Sequence, residues 1–119
     1  MGINSYTVVN LLEAAAAKNY VVVGPVNLTT GVPVRLNATP LLVTQVEIYG
    51  YLSIGANTIP VPNAGPCWVT ADAAGLSALE PLPAGGRILY KPPGGTSFDL
   101  FNLNVLGTTG DKVYFKYLA

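Results

Sequence analysis

The chain has 119 residues, about the size of one ordinary domain, and its composition is 50% hydrophobic, only 10% charged and neutral overall. An average domain carries about 25% charged residues, so this deficit favours a surface that is polar-neutral or covered by a partner. The six Lys and Arg residues are scattered along the chain, which argues against nucleic-acid binding because phosphate contacts need clustered basic residues. No histidine is present, which removes the usual general base, the commonest transition-metal ligand and every pairing of a serine or cysteine nucleophile with histidine.

The N-terminal segment, residues 1–19, differs from the rest of the chain in composition and holds the one predicted helix. Asn10 can cap a helix of about two turns, and Glu13 can complete a capping box. A helix this short is not stable in water unless it docks on something. We therefore expect residues 1–19 either to pack back on their own domain or to act as an arm that grips a neighbour through Leu11 and Leu12.

Neither a leader nor a membrane span is indicated. The N-terminus lacks the basic start and apolar core of a signal peptide, and no stretch reaches the roughly 20 apolar residues that cross a bilayer. We expect the chain to be made and kept in a cytoplasm. Its one cysteine, Cys67, can form no internal disulfide.

Beyond the N-terminal segment, short runs rich in Val, Ile, Tyr, Phe and Thr lie between Pro and Gly residues, which is typical of strands joined by turns. The first predicted strand is Tyr20–Val23, which Gly24 and Pro25 are expected to stop. The next is Val32–Leu36, where Pro33 indicates an edge strand because proline cannot donate to a ladder of hydrogen bonds.

The longest β-like run is Leu41–Ile54, and Gly50 within it indicates a bulge or bend. Its alternation sets Val46, Ile48, Leu52 and Ile54 on one face, and Glu47, Tyr49, Tyr51 and Ser53 on the other. Tyr49 and Tyr51 are therefore expected to be exposed in an isolated monomer, where their amphipathic rings would suit a protein interface. If a second layer of the fold covers them, they pack internally, and the sequence does not choose between the two.

Further strands are predicted at Thr58–Val61, Cys67–Thr70, Arg87–Lys91, Asp99–Val105 and Lys112–Tyr117. Ala71–Pro83 is predicted to be a connecting loop, and Gly107–Asp111 a hairpin-type connection into the last strand. The period of two in the penultimate strand places Phe101, Leu103 and Val105 inside, with Asn102 and Asn104 outside. About eight strands at irregular spacings predict a single all-β domain over residues 20–119, of the β-sandwich or jelly-roll type.

The residues that could carry chemistry point away from catalysis. Cys67 lies beside Trp68 in a strand-like run, so we expect a small core residue and not a nucleophile. A carboxylate hydrolase needs two acids roughly 5 to 10 Å apart, and nothing in the spacing of the six acidic residues pairs them. Asp99 or Asp111 could bind calcium with backbone carbonyls, but no acidic loop with alternating ligands is present. The sequence predicts no enzyme, no cofactor and no metal site.

Several short motifs of turn and strand residues stand out: Leu82-Pro-Ala-Gly-Gly-Arg-Ile-Leu-Tyr90, Phe98-Asp-Leu100, Gly107-Thr-Thr-Gly-Asp-Lys-Val-Tyr-Phe115 and, nearer the start, Asn27-Leu-Thr-Thr30 with Pro33–Leu36. In these motifs the chain resembles small β-sandwich structural proteins of tailed bacteriophage particles. The resemblance implies a virion component assembled in the host cytoplasm: a capsid decoration or cement protein, or a small head, neck or tail-attached subunit. It also implies contacts with the major capsid protein or other virion subunits, and a homo-oligomer that is most often a trimer.

Three functions from different classes follow as hypotheses. The leading one is a non-enzymatic virion protein that stabilises the shell by subunit contacts, gripping its neighbours through Leu11, Leu12, Tyr49 and Tyr51. The second is a module that recognises a carbohydrate or receptor through Tyr49, Tyr51 and Trp68. The third is a carboxylate hydrolase with two acids across a cleft.

Overall fold

Strands form throughout the described part of the chain, which in this computed structural model comprises residues 20–55, 58–71 and 78–119. In chain order they are β1 (Tyr20–Asn27), β2 (Val34–Arg35), β3 (Leu42–Val43), β4 (Gln45–Tyr49), β5 (Tyr51–Ser53), β6 (Val61–Pro62), β7 (Cys67–Thr70), β8 (Ala78–Leu82), β9 (Arg87–Tyr90), β10 (Phe98–Asp99), β11 (Asn104–Leu106) and β12 (Lys112–Leu118). The all-β prediction is confirmed. The structure describes twelve strands where eight were expected, because two of the predicted runs are divided, one into three strands and one into two, and because β8 forms within a predicted loop.

Two 3₁₀ turns, Pro93–Gly95 and Leu100–Asn102, complete the regular structure, and the described ranges contain no α-helix. The helix or arm expected over residues 1–19 lies outside the described residues, and so do Leu11 and Leu12.

The strands pair into two four-stranded sheets and two small two-stranded ones, and the pairs are antiparallel. Sheet I has the order β1-β12-β4-β9, and sheet II has the order β2-β11-β7-β8. The small pairs are β3 with β10 and β5 with β6. Neighbours along the chain often lie in different sheets, so the chain crosses repeatedly from one sheet to the other.

One buried cluster of apolar side chains draws on both four-stranded sheets. Sheet I contributes Val46, Ile48, Ile88, Val113 and Phe115, and sheet II contributes Cys67, Val69, Leu82 and Val105. Each such side chain stabilises the fold by about 1.5–3 kcal/mol relative to an exposed position, so this cluster is the main source of stability. Cys67 has no exposed surface, which confirms the prediction that it is a core residue.

β1 continues through Gly24 and Pro25, where the sequence predicted that the strand would stop. The peptide bond between these two residues is cis, and the register of β1 against β12 shifts between Val23 and Val26. β1 is an edge strand of sheet I. At an edge and in a bulge, the missing N–H of Pro25 is tolerated.

Gly50 divides the run Leu41–Ile54, as predicted, but the run forms three strands, β3, β4 and β5. The predicted alternation holds before the break, where Val46 and Ile48 are fully buried. It fails after the break, where Ile54 is exposed. A change of strand direction at a glycine resets which side chains face the core.

Two strands that contain proline differ from the prediction. β8 lies within Ala71–Pro83, which was predicted to be a connecting loop, so that prediction is wrong over Ala78–Leu82. β8 is an edge strand of sheet II, and proline is tolerated there. β6 begins at Val61, so the strand predicted over Thr58–Val61 is displaced toward Pro62. The edge strand predicted from Pro33 is confirmed, because β2 is the other outer strand of sheet II.

Asp99 ends the strand that was predicted to run on to Val105. Its carboxylate accepts hydrogen bonds from the N–H groups of Leu41 (2.8 Å) and Phe101 (3.0 Å), and it caps the second 3₁₀ turn. The turn interrupts the period of two. As a result Asn104 is buried, and the prediction that it lies outside is wrong.

Residues 107–111 connect β11 of sheet II to β12 of sheet I, so the predicted hairpin is wrong. Asp111 is buried in this crossing, and its carboxylate accepts hydrogen bonds from the N–H groups of Ala64 (2.9 Å) and Gly65 (3.3 Å). The carboxylate therefore ties the crossing to the turn between β6 and β7. Alternation indicates that a strand is present, but it does not identify the neighbouring strand.

Candidate interaction surface

The outer face of sheet I, opposite the buried cluster, carries tyrosines near its centre. Tyr49 of β4 is the register partner of Tyr114 in β12, and Val22 of β1 is the partner of Lys116. A cavity of about 520 Å³ opens on this face, and we call it the tyrosine groove. It is lined by Val22, Gly24, Tyr49, Ile54, Tyr114, Phe115 and Lys116. Its volume falls within the range of about 300–1,000 Å³ that is usual for binding pockets.

The bulge in β1 shapes one side of this groove. Because Gly24 has no side chain, the ring of Tyr114 lies directly against the backbone of β1. Val22 precedes the bulge and is 73% exposed. The groove wall therefore consists of bare backbone, an aromatic ring and an aliphatic side chain that faces water.

Charges surround the groove and are already engaged. Glu47 lies 3.7 Å from Arg87 in an ion pair. Burial, and secondly the neighbouring Glu47 side chain, raises the pKa of Tyr49 well above its ordinary value, so the hydroxyl is neutral at physiological pH. The Lys116 ammonium lies 4.9 Å from the centre of the Tyr20 ring, in a cation–π contact. The groove thus offers apolar walls with one neutral hydroxyl and one ammonium.

Tyr49 and Tyr51 are both half-buried, so the prediction that both are exposed is wrong. Tyr51 lies beyond Gly50, and its hydroxyl donates to the carbonyl of Gly85 (2.9 Å). Gly50 is hydrogen-bonded to the same turn. Its carbonyl accepts a hydrogen bond from the N–H of Gly85 (2.9 Å), and its N–H donates to the carbonyl of Gly86 (3.0 Å). Tyr51 therefore anchors β5 to the turn between β8 and β9, while Tyr49 lines the groove.

A two-stranded ribbon lies beside the groove. We call β5, β6 and the described residues between them the apolar ribbon. The sequence has no charged residue between Glu47 and Asp72, so the ribbon carries no charge. Ile59 is nevertheless 89% exposed and Val61 is 46% exposed. Ile59 and Val61 therefore make the apolar ribbon a candidate interaction surface.

Trp68 lies apart from both tyrosines that were predicted to form a carbohydrate platform with it. Trp68 belongs to β7 of sheet II, Tyr49 to sheet I and Tyr51 to the apolar ribbon. The indole is 44% exposed and borders a shallow depression of about 240 Å³ with Pro66 and Leu106. Any stacking on Trp68 would therefore use a surface separate from the tyrosine groove.

Three of the acidic side chains in the described ranges have identified partners. Glu47 is paired with Arg87, whereas Asp99 and Asp111 each accept two backbone N–H groups. The fourth described acid, Glu80, is exposed. Within the described ranges, no group of three or more His, Cys, Asp or Glu side chains is placed to hold a metal ion.

Most residues of the groove were not singled out from the sequence: Val22, Gly24, Ile54, Tyr114 and Lys116. Tyr114 and Lys116 alternate with the buried Val113 and Phe115 in the last strand, so alternation could have placed them on the outer face. Gly24 was predicted to end the first strand, because Gly-Pro commonly ends a strand, and so it was not expected to line a groove within β1.

The portion of the chain that the structure describes has no helix long and apolar enough to cross a membrane. No protein-family model, curated protein or solved structure matches this chain.

Proposed function

We propose that the chain is a non-enzymatic structural subunit of a tailed-phage virion, and specifically a capsid decoration or cement protein. The observation that carries the proposal is the apolar ribbon beside the tyrosine groove. Exposed apolar surface is unfavourable by about 25 cal/mol per Å², and a partner that covers it removes this cost. A head, neck or tail-attached subunit would use the same surface in the same way.

The proposed architecture is one β-sandwich of the jelly-roll type over residues 20–119, with sheets I and II as its two layers. A single buried cluster that draws on both sheets supports it. The phage-like motifs fit this architecture, because Asp99 and Asp111 within them bind backbone N–H groups at strand ends. These motifs support the likeness to phage structural proteins, whereas the exposed apolar ribbon supports contact with another protein subunit.

Mass spectrometry of purified particles tests the virion proposal. Particles from a lysate of the tailed phage that encodes the chain should contain it at a copy number comparable to that of a shell protein. Particles from a deletion mutant are the matched control, and we expect them to lose their DNA at a lower temperature. A chain that is abundant in the lysate and missing from the particles would refute the proposal.

A second candidate function, carbohydrate recognition, is favoured by one observation. Trp68 is 44% exposed above a shallow depression, and flat aromatic faces of this kind stack on sugar rings. A glycan array probed with the native chain should then give signals that Trp68→Ala abolishes and Tyr49→Ala leaves unchanged. An array with no signal, or signals that survive Trp68→Ala, would remove this candidate.

A further inference from the structure

The outer face of sheet I carries cations that lie far apart in the sequence. Lys112 and Lys116 alternate with buried residues in β12, so both project from this outer face. Arg87 of β9 joins them, because its register partner in β4 is Tyr49, a residue of the same face. The fold therefore brings together basic residues that the sequence shows as scattered.

The three cations surround the tyrosine groove. Lys112 and Lys116 are separated by about 13 Å along one strand, with Tyr114 between them. Arg87 lies two strands away from β12, about 10 Å in the direction across the strands. A ligand seated in the groove would therefore lie between positive charges.

The positive charge on this face is only partly compensated. The four strands of sheet I contain one carboxylate, Glu47, and it is paired with Arg87. Lys116 lies over the Tyr20 ring, a contact that leaves its positive charge in place. Within the described ranges neither lysine forms an ion pair. Three cations and one carboxylate give this face a net charge of +2, on a chain whose net charge is zero.

The groove between these charges is apolar. Val22 and Ile54 line it with aliphatic side chains, and Tyr49 and Tyr114 line it with aromatic rings. A concave site of this kind is stabilised by burying an aliphatic side chain, whereas the cations around it attract carboxylates. The two features together fit a short segment that has an aliphatic residue flanked by Asp or Glu.

A second copy of the chain does not offer such a segment in its described ranges. Asp99 and Asp111 are bonded to backbone N–H groups, and Glu47 belongs to the groove's own face. Glu80 is the one described acid that is exposed, and a single carboxylate does not match a surplus of two positive charges. A different protein is therefore favoured as the partner.

A single-stranded nucleic acid is the competing ligand, because it also binds to cations and aromatic rings. Stacking of bases requires exposed ring faces, whereas Tyr49 and Tyr114 are both half-buried. The aliphatic walls that Val22 and Ile54 add to the groove offer nothing to a stacked base. A protein segment is therefore favoured over a nucleic acid.

We propose that the outer face of sheet I binds an acidic segment of another virion subunit. An aliphatic side chain of that segment occupies the tyrosine groove, and its carboxylates pair with Lys112, Lys116 and Arg87. Arg87 is 74% exposed and has five N–H donors, so it can bind a second carboxylate beside Glu47. This inference rests on the proposed function, which requires contact with another subunit, and it names the chemistry of the partner.

Chemical-shift mapping by NMR with the ¹⁵N-labelled native chain tests this inference. The probe is a blocked peptide with leucine at its centre and glutamates on both sides. We expect shifts confined to the strands of sheet I and the groove, and a dissociation constant that rises with salt concentration. A peptide with serine in place of the leucine should bind about 5- to 10-fold more weakly. A peptide with lysine in place of each glutamate should not bind.

Substitution of single lysines separates the proposed pairs from general attraction. Lys112→Gln and Lys116→Gln should each weaken binding of the acidic peptide about 2- to 5-fold, as the loss of one exposed ion pair does. Lys91→Gln is the matched control, because it removes the same charge from an exposed lysine that borders a separate depression with Pro92 and Phe98. We expect it to leave binding unchanged.

Four results would overturn the inference. They are no binding of the acidic peptide, shifts that map outside sheet I and the groove, equal effects of the three lysine substitutions, and tighter binding of a single-stranded oligothymidylate than of the peptide. Nuclear Overhauser contacts from the groove to residues 1–19, or to a second copy of the chain, would also overturn it.

The outcomes also separate this inference from the virion proposal. A chain that is found in particles but does not bind the acidic peptide would overturn the inference and leave the proposed function standing. A chain that binds the peptide as described but is missing from particles would refute the proposed function and leave the specificity of this face for acidic segments standing.

Discussion

Gly24 lies against the aromatic ring of Tyr114 so closely that a β-carbon on Gly24 would fall 2.5 Å from Cδ2 of the ring. Gly24 also has a φ of +146°, a backbone conformation that residues with side chains rarely adopt. We expect Gly24→Ala to lower the free energy of unfolding by about 1–3 kcal/mol, as overpacking generally does. Denaturant titration measures this change, and near-ultraviolet circular dichroism reports the displaced tyrosine ring.

The control for this substitution is Gly65→Ala. No atom lies within 4 Å of a β-carbon built on Gly65, and its φ is outside the left-handed region. We expect a change of less than about 0.5 kcal/mol there. A Gly24→Ala protein as stable as Gly65→Ala would contradict the close packing of β1 on Tyr114.

The buried carboxylate of Asp111 should matter to stability and not to a surface function. Asp111→Ala removes the acceptor of the Ala64 and Gly65 N–H groups. Hydrogen bonds to a charged acceptor are worth about 1.5–3 kcal/mol, but Ala64 is exposed and Gly65 half-buried, so water replaces part of what is lost. We expect a loss of about 1–3 kcal/mol in a urea titration. Asp111→Asn keeps one acceptor oxygen and should lose less. Equal stability of all three proteins would show that these hydrogen bonds contribute nothing.

Alkaline pH should destabilise the fold through Cys67. Burial, and secondly the charge of Asp111, raises the pKa of the Cys67 thiol from 9.0 to about 11. Between these values the unfolded chain has released a proton that the folded chain keeps, so the free energy of unfolding falls as the pH rises from 9.0 toward 11. Below pH 9.0 both states keep the proton, and the thiol contributes no pH dependence.

Urea titrations of the native chain and Cys67→Ala, below and within this pH window, isolate the thiol. The variant lacks the group, so its stability relative to the native chain should improve as the pH rises. Tyr90, whose pKa burial raises to about 12, is present in both proteins and cancels. A stability difference that is constant with pH would show that Cys67 does not ionise on unfolding in this range.

The two tyrosines that the sequence grouped together should respond differently to substitution. Tyr51→Phe removes the hydrogen bond to the Gly85 carbonyl, and we expect a loss of about 1 kcal/mol in the free energy of unfolding with no change in binding to phage shells. Tyr49→Ala removes a wall of the groove and should weaken that binding. A Tyr51→Phe protein with native stability and weakened shell binding would contradict these roles.

Alternation along the chain predicted the strands well and their neighbours poorly. It placed β7 and β12 correctly, because each strand of a half-buried sheet shows its own period of two. It did not predict that residues 107–111 cross between sheets, because pairing depends on distant residues. Of the residues that line the tyrosine groove, only Tyr49 was predicted to belong to an interaction surface. The groove forms where three strands and the bulge at Gly24 meet, and strand pairing of this kind is not visible in the sequence of any one strand.

Side-chain hydrogen bonds to the backbone account for another part of what alternation missed. Asp99 begins a 3₁₀ turn by accepting the Phe101 N–H, and this turn moves Asn104 to the inside. A carboxylate that binds local N–H groups competes with regular strand structure. The sequence alone does not reveal which acidic residue does so.

The proposal that this chain works by packing against protein subunits is best decided by co-sedimentation with phage shells that lack it. The purified native chain should bind such shells saturably, at a fixed ratio to the shell subunit, and Val22→Asp should bind more weakly because its groove is impaired. Shells that remain uncoated at saturating amounts of a monomeric native chain would contradict the proposal.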